Sequence, residues 1–128
     1  MDLRRQYTDY IAALNERRWD DLHRFVADGV DYNEEPRTRA HYRALLENDV
    51  ATFPDLFFDV VHLVVSEDLV AARLRFDATP VAPFRGFAPT GATVRFTEHV
   101  FYRFTRGRIS AVWSLIDDAA LQGQLPRA

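Results

Sequence analysis

No cysteine occurs among the 128 residues, which excludes disulfides, thiol nucleophiles and thiolate metal sites. No apolar run approaches the ~20 residues that a membrane-spanning helix needs. The opening stretch MDLRRQYTDYIAAL carries charge throughout, unlike a secretory signal, so a cytoplasmic chain is expected. Basic charge is not in excess. Sixteen Lys and Arg against 19 Asp and Glu leave a net charge of -3, and the bases are mixed with acids in NERRWDD and EEPRTRA. Neither nucleic acid nor a membrane surface is an expected partner on that balance. The histidines His23, His41, His62 and His99 lack metal-ligand spacing, so no metal is expected. Repeats, linkers and low-complexity segments are also missing.

What is present is material for a core: 48% of residues are hydrophobic and 27% charged, as in one globular domain over residues 1–128. The first half reads as helical. Leu3, Tyr7, Tyr10, Ile11 and Leu14 recur at three- and four-residue spacing. A second helix is expected on WDDLHRFVAD, with Trp19, Leu22, Phe25 and Val26 inward and a stop near Gly29. VDYN then makes a short strand, and Pro36 ends a loop. Thr38 is placed to cap a third helix, RAHYRALLENDVATF, with Tyr42, Leu45, Leu46 and Val50 inward. The second half reads as strands: LFFDVVHLVV, LVAARLRFDA, TVRFTEHVFYRF and ISAVWSLI are rich in β-branched and aromatic residues. SED and TRG are hairpin turns. The irregular segment 79–92, with three prolines and two glycines, is a candidate flap. Three helices followed by an antiparallel meander predict an α+β domain in which the helices cover a curved sheet around a cone-shaped interior.

Residues 94–104 carry the clearest chemical signal. Strand side chains alternate with period two, so Val94, Phe96, Glu98, Val100, Tyr102 and Phe104 share one face. Glu98 is the single ionisable residue on it before the tyrosine. Inside a cone it would be desolvated, with a pKa raised towards the range a general acid or base needs. His99 falls on the opposite face, at the surface or an interface, unless it helps to bind a substrate. What joins Glu98 from the last strand depends on the turn at FTRGRI. A bulge at Gly107 puts Val112, Ser114 and Ile116 on the Glu98 face. A tight Arg106–Gly107 turn puts Trp113, Leu115 and Asp117 there instead, because a one-residue slip exchanges the faces. The bulged turn is favoured, since a glycine after two polar residues suits it. One of Asp117 and Asp118 should then point inward, and the other should be a surface residue or an N-cap.

ALNERRWDDLHRFVADGV, FPDLFFDVVHLV, GFAPTGATVRF, FYRFTRGRI and VWSLIDDAALQGQL occur in this order. On these stretches the chain resembles the SnoaL-like polyketide cyclases, within the cone-shaped nuclear transport factor 2-like fold. The resemblance implies a mixed or antiparallel curved sheet, an apolar pocket for a small organic ligand, and a carboxyl-based acid–base reaction without metal or nucleotide. Cyclisation, isomerisation and hydration are the implied reactions; a non-catalytic binding or dimerisation module is the alternative. It draws attention to Trp113 and Asp117, which stand where the family has a Trp and a following Asp. Relatives often carry a polar residue before that Trp, and here Val112 stands. The resemblance also puts Tyr32 and Asn33 near the cone mouth, able with Tyr102 to orient a substrate. Arg73, Arg75 and Asp77 share a face, as in epoxide hydrolase-like relatives, although the opposite face is the natural core. A homodimer is implied, packed outer face to outer face through Phe101 and Trp113.

Overall fold

A computed structural model describes residues 2–128. Helix α1 (Leu3–Asn15) starts where the Asp2 carboxylate accepts the Arg5 amide, and it buries Tyr7, Tyr10, Ile11 and Leu14, the expected stripe. Helix α2 (Arg39–Thr52) is capped by Thr38, whose hydroxyl accepts the His41 amide, and buries Tyr42 and Leu46. A short α3 (Asp118–Gln122) closes the chain's last strand. No helix among the described residues is long and apolar enough to cross a membrane.

Six strands follow the order β2-β1-β6-β5-β4-β3, with β1 Val26–Tyr32, β2 Glu35–Thr38, β3 Asp59–Ser66, β4 Leu69–Ala78, β5 Val94–Thr105 and β6 Arg108–Ile116. The β1–β6 pair is parallel; the other neighbours are antiparallel. The result is a mixed, curled sheet that does not close, with α1 and α2 over its concave face. The core fills that concavity, with Tyr7, Val26, Val70 and Ile109 among its most buried side chains.

The second expected helix requires correction. Trp19–Arg24 forms only a short 3₁₀ helix, and Val26 already belongs to β1, paired with Ile109 of β6. The spacing of Trp19, Leu22, Phe25 and Val26 fits a helix, but sheet pairing overrides that local pattern. The strand read at VDYN is accordingly longer. Pro36 lies not in a loop but on edge strand β2, opposite Asp31, where a missing amide hydrogen costs no central ladder bond. Asn33 and Glu34 make the β1–β2 turn with φ of 49° and 71°.

The β5–β6 hairpin combines features of both expected turns. Thr105 faces Arg108 across a tight Arg106–Gly107 turn with φ of 53° and 80°. The bulge comes later: Phe104 pairs with Ile109 and Arg103 with Ala111, leaving Ser110 as the extra residue. That one residue restores the faces of the bulged alternative. Val100 therefore faces Ser114 and Glu98 faces Ile116.

Candidate active site

The concave side holds two small adjoining chambers, with free volumes of about 20 Å³ and about 40 Å³. The smaller is walled by phenylalanines, among them Phe53, Phe76, Phe84 and Phe96. The larger is walled by Tyr10, Tyr32, Tyr42 and Tyr102 together with leucines. Asp49, Phe58 and Glu98 border both chambers, so two carboxyls sit where a phenylalanine-lined space meets a phenol-lined one.

Glu98 reaches this junction because β5 alternates and its even-numbered face is turned inward. Ser114, adjacent on β6, donates its hydroxyl to Glu98 Oε2. Burial pushes the Glu98 pKa up, while the Ser114 hydrogen bond and the positive charge of Arg85 oppose the rise. Ser114 is itself fixed by Asn33, whose Oδ1 accepts the Ser114 amide at 2.9 Å, while the Asn33 amide donates to the Val112 carbonyl at 2.8 Å. The Asn33 carbonyl oxygen is thus engaged in joining β1 to β6, and its reach to the site is through Ser114.

Asp49 comes from the opposite wall, on α2. Its carboxyl receives no hydrogen bond from the described residues, and its pKa is raised to about 7, first by burial and then by the charge of Glu98, against the pull of Arg85. The sequence reading missed it because Glu47 and Asn48 beside it read as a solvated helix face. A signal existed: Tyr42, Leu45, Leu46 and Asp49 follow the i, i+3, i+4, i+7 pattern, which puts a carboxylate on the buried stripe.

All five tyrosines of the chain gather at this end of the cone. The Tyr10 and Tyr42 hydroxyls are 2.7 Å apart, and the Tyr7 hydroxyl donates to that of Tyr102 at 3.5 Å. Tyr32 packs on Tyr42 with ring centroids 6.1 Å apart. Burial, the leading cause in every case, raises all five phenols above their usual range. They are neutral at physiological pH and act as hydrogen-bond donors.

The irregular segment 79–92 folds over the phenylalanine chamber. Phe84 and Phe87 exchange two backbone hydrogen bonds of 2.9 Å, forming a miniature hairpin with Arg85 and Gly86 at its tip at φ of 51° and 84°. Phe84 enters the chamber and meets the Phe53 ring edge-on at 4.9 Å. Arg85 is gripped from outside by Asp118, Nε to Oδ1 at 2.6 Å and Nη2 to Oδ2 at 2.9 Å.

Several expected site residues lie elsewhere. Asp117 and Asp118 are both exposed, so the expectation that one would point inward is corrected. The Asp117 carboxylate caps α3 by accepting the Ala120 amide at 3.1 Å, and Asp118 is committed to Arg85. The physical reason is that β6 ends at Ile116, before either acid can follow the inward face. Trp113 and His99 are on the outer face; Trp113 lies under the Arg103 guanidinium, 5.6 Å from its ring centroid. Arg75 and Asp77 are also outside, around a surface depression of about 380 Å³ with Phe57, and are paired with Asp59 and Arg95 at 2.9 and 3.0 Å, so the acids of an epoxide-opening constellation are exposed and held by arginines. Tyr32 and Tyr102 do line the larger chamber. A roomier depression of about 420 Å³ lies outside the cone by Trp19, His23, Arg39 and Arg43. It is open to water, and its arginines are already paired with Asp28 and Asp20, so the smaller interior chambers, whose carboxyls form no ion pair among the described residues, are the better site.

The fold matches known structures over nearly its whole length. A SnoaL-like polyketide cyclase from Agrobacterium tumefaciens is 40% identical, with 97% of this chain and 98% of that one covered and a TM-score of 0.94. AclR from Streptomyces galilaeus, provisionally described as a hydroxylase, is 28% identical, with 98% of each chain covered and a TM-score of 0.76. IdmH from Streptomyces antibioticus, provisionally described as a polyketide cyclase, is 24% identical, with 97% and 98% covered and a TM-score of 0.83, and shows the shared fold. Comparison with curated protein sequences gave no match. The family model for the SnoaL-like polyketide cyclases spans residues 3–125, and with the Agrobacterium relative it establishes that this chain belongs to that family.

Proposed function

We propose that the chain is a cofactor-independent acid–base enzyme for an apolar, oxygenated, polyketide-like small molecule, and that Glu98 is the carboxyl that moves a proton at carbon. The observation that carries this reading is Glu98 itself. It borders both chambers, its proton affinity is raised by burial, and the Ser114 hydroxyl fixes its orientation. A carboxylate in such surroundings can take a proton next to a carbonyl, and neutral phenols nearby can stabilise the oxyanion that forms. Cyclisation or isomerisation follows from the enolate. The cytoplasm is the proposed location, checked by cell fractionation.

The test is proton exchange at the α-carbon of β-tetralone, a flat aromatic ketone, followed by NMR in D₂O. Wild type should accelerate exchange over buffer, and Glu98→Gln should lower that acceleration by ~10²–10⁴-fold. Full activity in Glu98→Gln, or no acceleration by wild type, would overturn the reading and leave a binding module in its place.

The outer face supports a homodimer as the second part of the proposal. Val64, Ala71, Phe101 and Trp113 form one cross-strand row, and Phe101 is 56% exposed and Leu115 in the neighbouring row 72%. Sedimentation should give a dimer that Phe101→Asp dissociates; a monomer at micromolar concentration would remove this part.

A further inference from the structure

We propose that Asp49 is a second catalytic carboxyl, acting as general acid from the helix side of the cone while Glu98 acts as base from the sheet side. The inference rests on the enolisation reading above and goes beyond it by assigning the proton that the carbonyl oxygen receives.

The argument begins from position. Asp49 and Glu98 project from different layers, α2 and β5, and border the same two chambers. A flat molecule that widened this junction would have one carboxyl on each side. The two are unequal in one respect: Glu98 is given a hydrogen bond by Ser114, and Asp49 is given none. A donor favours the ionised form of a carboxyl, so the first proton leaves Glu98. Burial first, and the Glu98 negative charge after it, hold the remaining proton on Asp49, whose pKa is raised to about 7. The other ionisable groups facing Asp49 are Tyr10, Tyr32, Tyr42 and Tyr102, which are neutral, and Arg85. Among the described residues only Arg85 favours loss of the Asp49 proton, and Asp118 already grips its guanidinium from outside.

The step balances without a co-reactant. Glu98 carboxylate takes the α-proton, the C–H electron pair becomes the new C=C bond, and the carbonyl π pair moves to oxygen. Asp49 gives its proton to that oxygen, so an enol forms, Glu98 ends protonated and Asp49 ends as the carboxylate. Transfer of one proton from Glu98 to Asp49 resets the pair. Two carboxyls sharing one proton titrate as a unit, and the site works while it holds one proton.

The experiment is the pH profile of β-tetralone exchange for wild type, Asp49→Asn and Asp49→Glu, with carbon-detected NMR titration of the carboxyls in labelled protein. Wild-type exchange should fall as pH rises through about 7, where Asp49 loses its proton. Asp49→Asn should be slower by ~10²-fold and should lack that alkaline fall, because an amide has no proton to lose. Asp49→Glu should restore the fall. In the titration Asp49 should move to lower pH in Glu98→Gln, where the neighbouring charge is gone. A fall unchanged in Asp49→Asn would overturn the inference while leaving Glu98 as base. An Asp49 that titrates as an ordinary aspartate in wild type would overturn it even if that variant were inactive or unfolded. Loss of exchange in Glu98→Gln together with full exchange in Asp49→Asn separates the two failures.

Discussion

The two faces of β5 treat their polar groups in opposite ways: Arg95, Thr97, His99, Arg103 and Thr105 stand on the outer face, and Glu98 and Tyr102 on the inner one. On the outer face Arg95 is paired with Asp77 at 3.0 Å, and the neighbouring pair Arg75–Asp59 spans 2.9 Å; these side chains are exposed, and such pairs contribute only ~0–1 kcal/mol. On the inner face Glu98 has no cation in contact, only the Ser114 hydroxyl, and across the cavity Asp49 lacks even that. Residue type is the same on both sides, so burial sets the proton affinity. On the outside, the hydrogen bonds from Arg85 hold the Asp118 pKa below the usual range. Inside, Asp49 holds its proton up to about 7, where proton transfer is useful, and burial pushes Glu98 in the same direction.

The strongest way to break this contrast is to exchange charge on each face in turn. Glu98→Gln should reduce β-tetralone exchange by ~10²–10⁴-fold, whereas His99→Gln, one residue along the same strand, should leave it within a factor of about two of wild type if its face takes no part. Equal losses from the two variants would show that strand alternation does not divide function from surface.

Stability against pH sharpens the contrast next. The Asp49 pKa is near 7 when folded, against the ordinary 3.8. Between those values the folded chain holds a proton that the unfolded chain has released, so stability falls as pH rises from about 4 to about 7 and the full penalty persists above 7. Asp49→Asn removes the penalty. By urea unfolding at pH 8 it should be more stable than wild type by roughly 2–4 kcal/mol, and the gap should close near pH 4. An outer acid shows no such gain. A variant less stable than wild type at pH 8 would mean that Asp49 is well solvated or paired.

How much of this could be read from the sequence depends on which periodicity carried it. Glu98 was legible because an apolar strand face with one carboxylate is a pattern of period two. The α1 stripe and the Thr38 cap were legible because they are local. The β5–β6 register was decided at Ser110, one residue beyond the turn, and bulge position has no composition signature strong enough to fix it. Phe25 and Val26 were misread because helical spacing competed with pairing to a strand some eighty residues away. Arg85 was not legible at all. Its place over the chambers depends on a miniature hairpin and on Asp118, and an irregular loop offers no period from which to infer direction.

Ser114 gives a smaller, more selective test of the inner face. Its hydroxyl favours ionised Glu98, and hydrogen bonds to charged groups are worth ~1.5–3 kcal/mol. Ser114→Ala should therefore move the acid side of the exchange profile up by about one to two pH units, with the rate on the plateau nearly kept. An acid limb that stays in place would show that the Ser114 hydroxyl does not select the charge state of Glu98.

The smallest expected effect comes from the pair that joins the two environments. Arg85 faces Asp118 outside and acts on Glu98 and Asp49 inside. Asp118 is exposed and its pKa is depressed, so the pair contributes stability above the ordinary aspartate range and loses it as pH falls through the lowered value. Asp118→Asn should accordingly cost well under ~1 kcal/mol at neutral pH, and less in high salt. Its effect on the inside should run the other way from that of Arg85→Gln. Removing the arginine deletes the only cation among the described residues that acts on the two inner carboxyls, so both should hold their protons to higher pH and the whole exchange profile should move up. Removing Asp118 leaves that cation in place but frees it, and a guanidinium no longer gripped from outside can turn towards the chambers, which moves the profile down. Opposite shifts from the two variants would show that the loop tip tunes proton affinity inside the cone; shifts of the same sign would show that the pair serves only to pin Phe84 over the phenylalanine chamber.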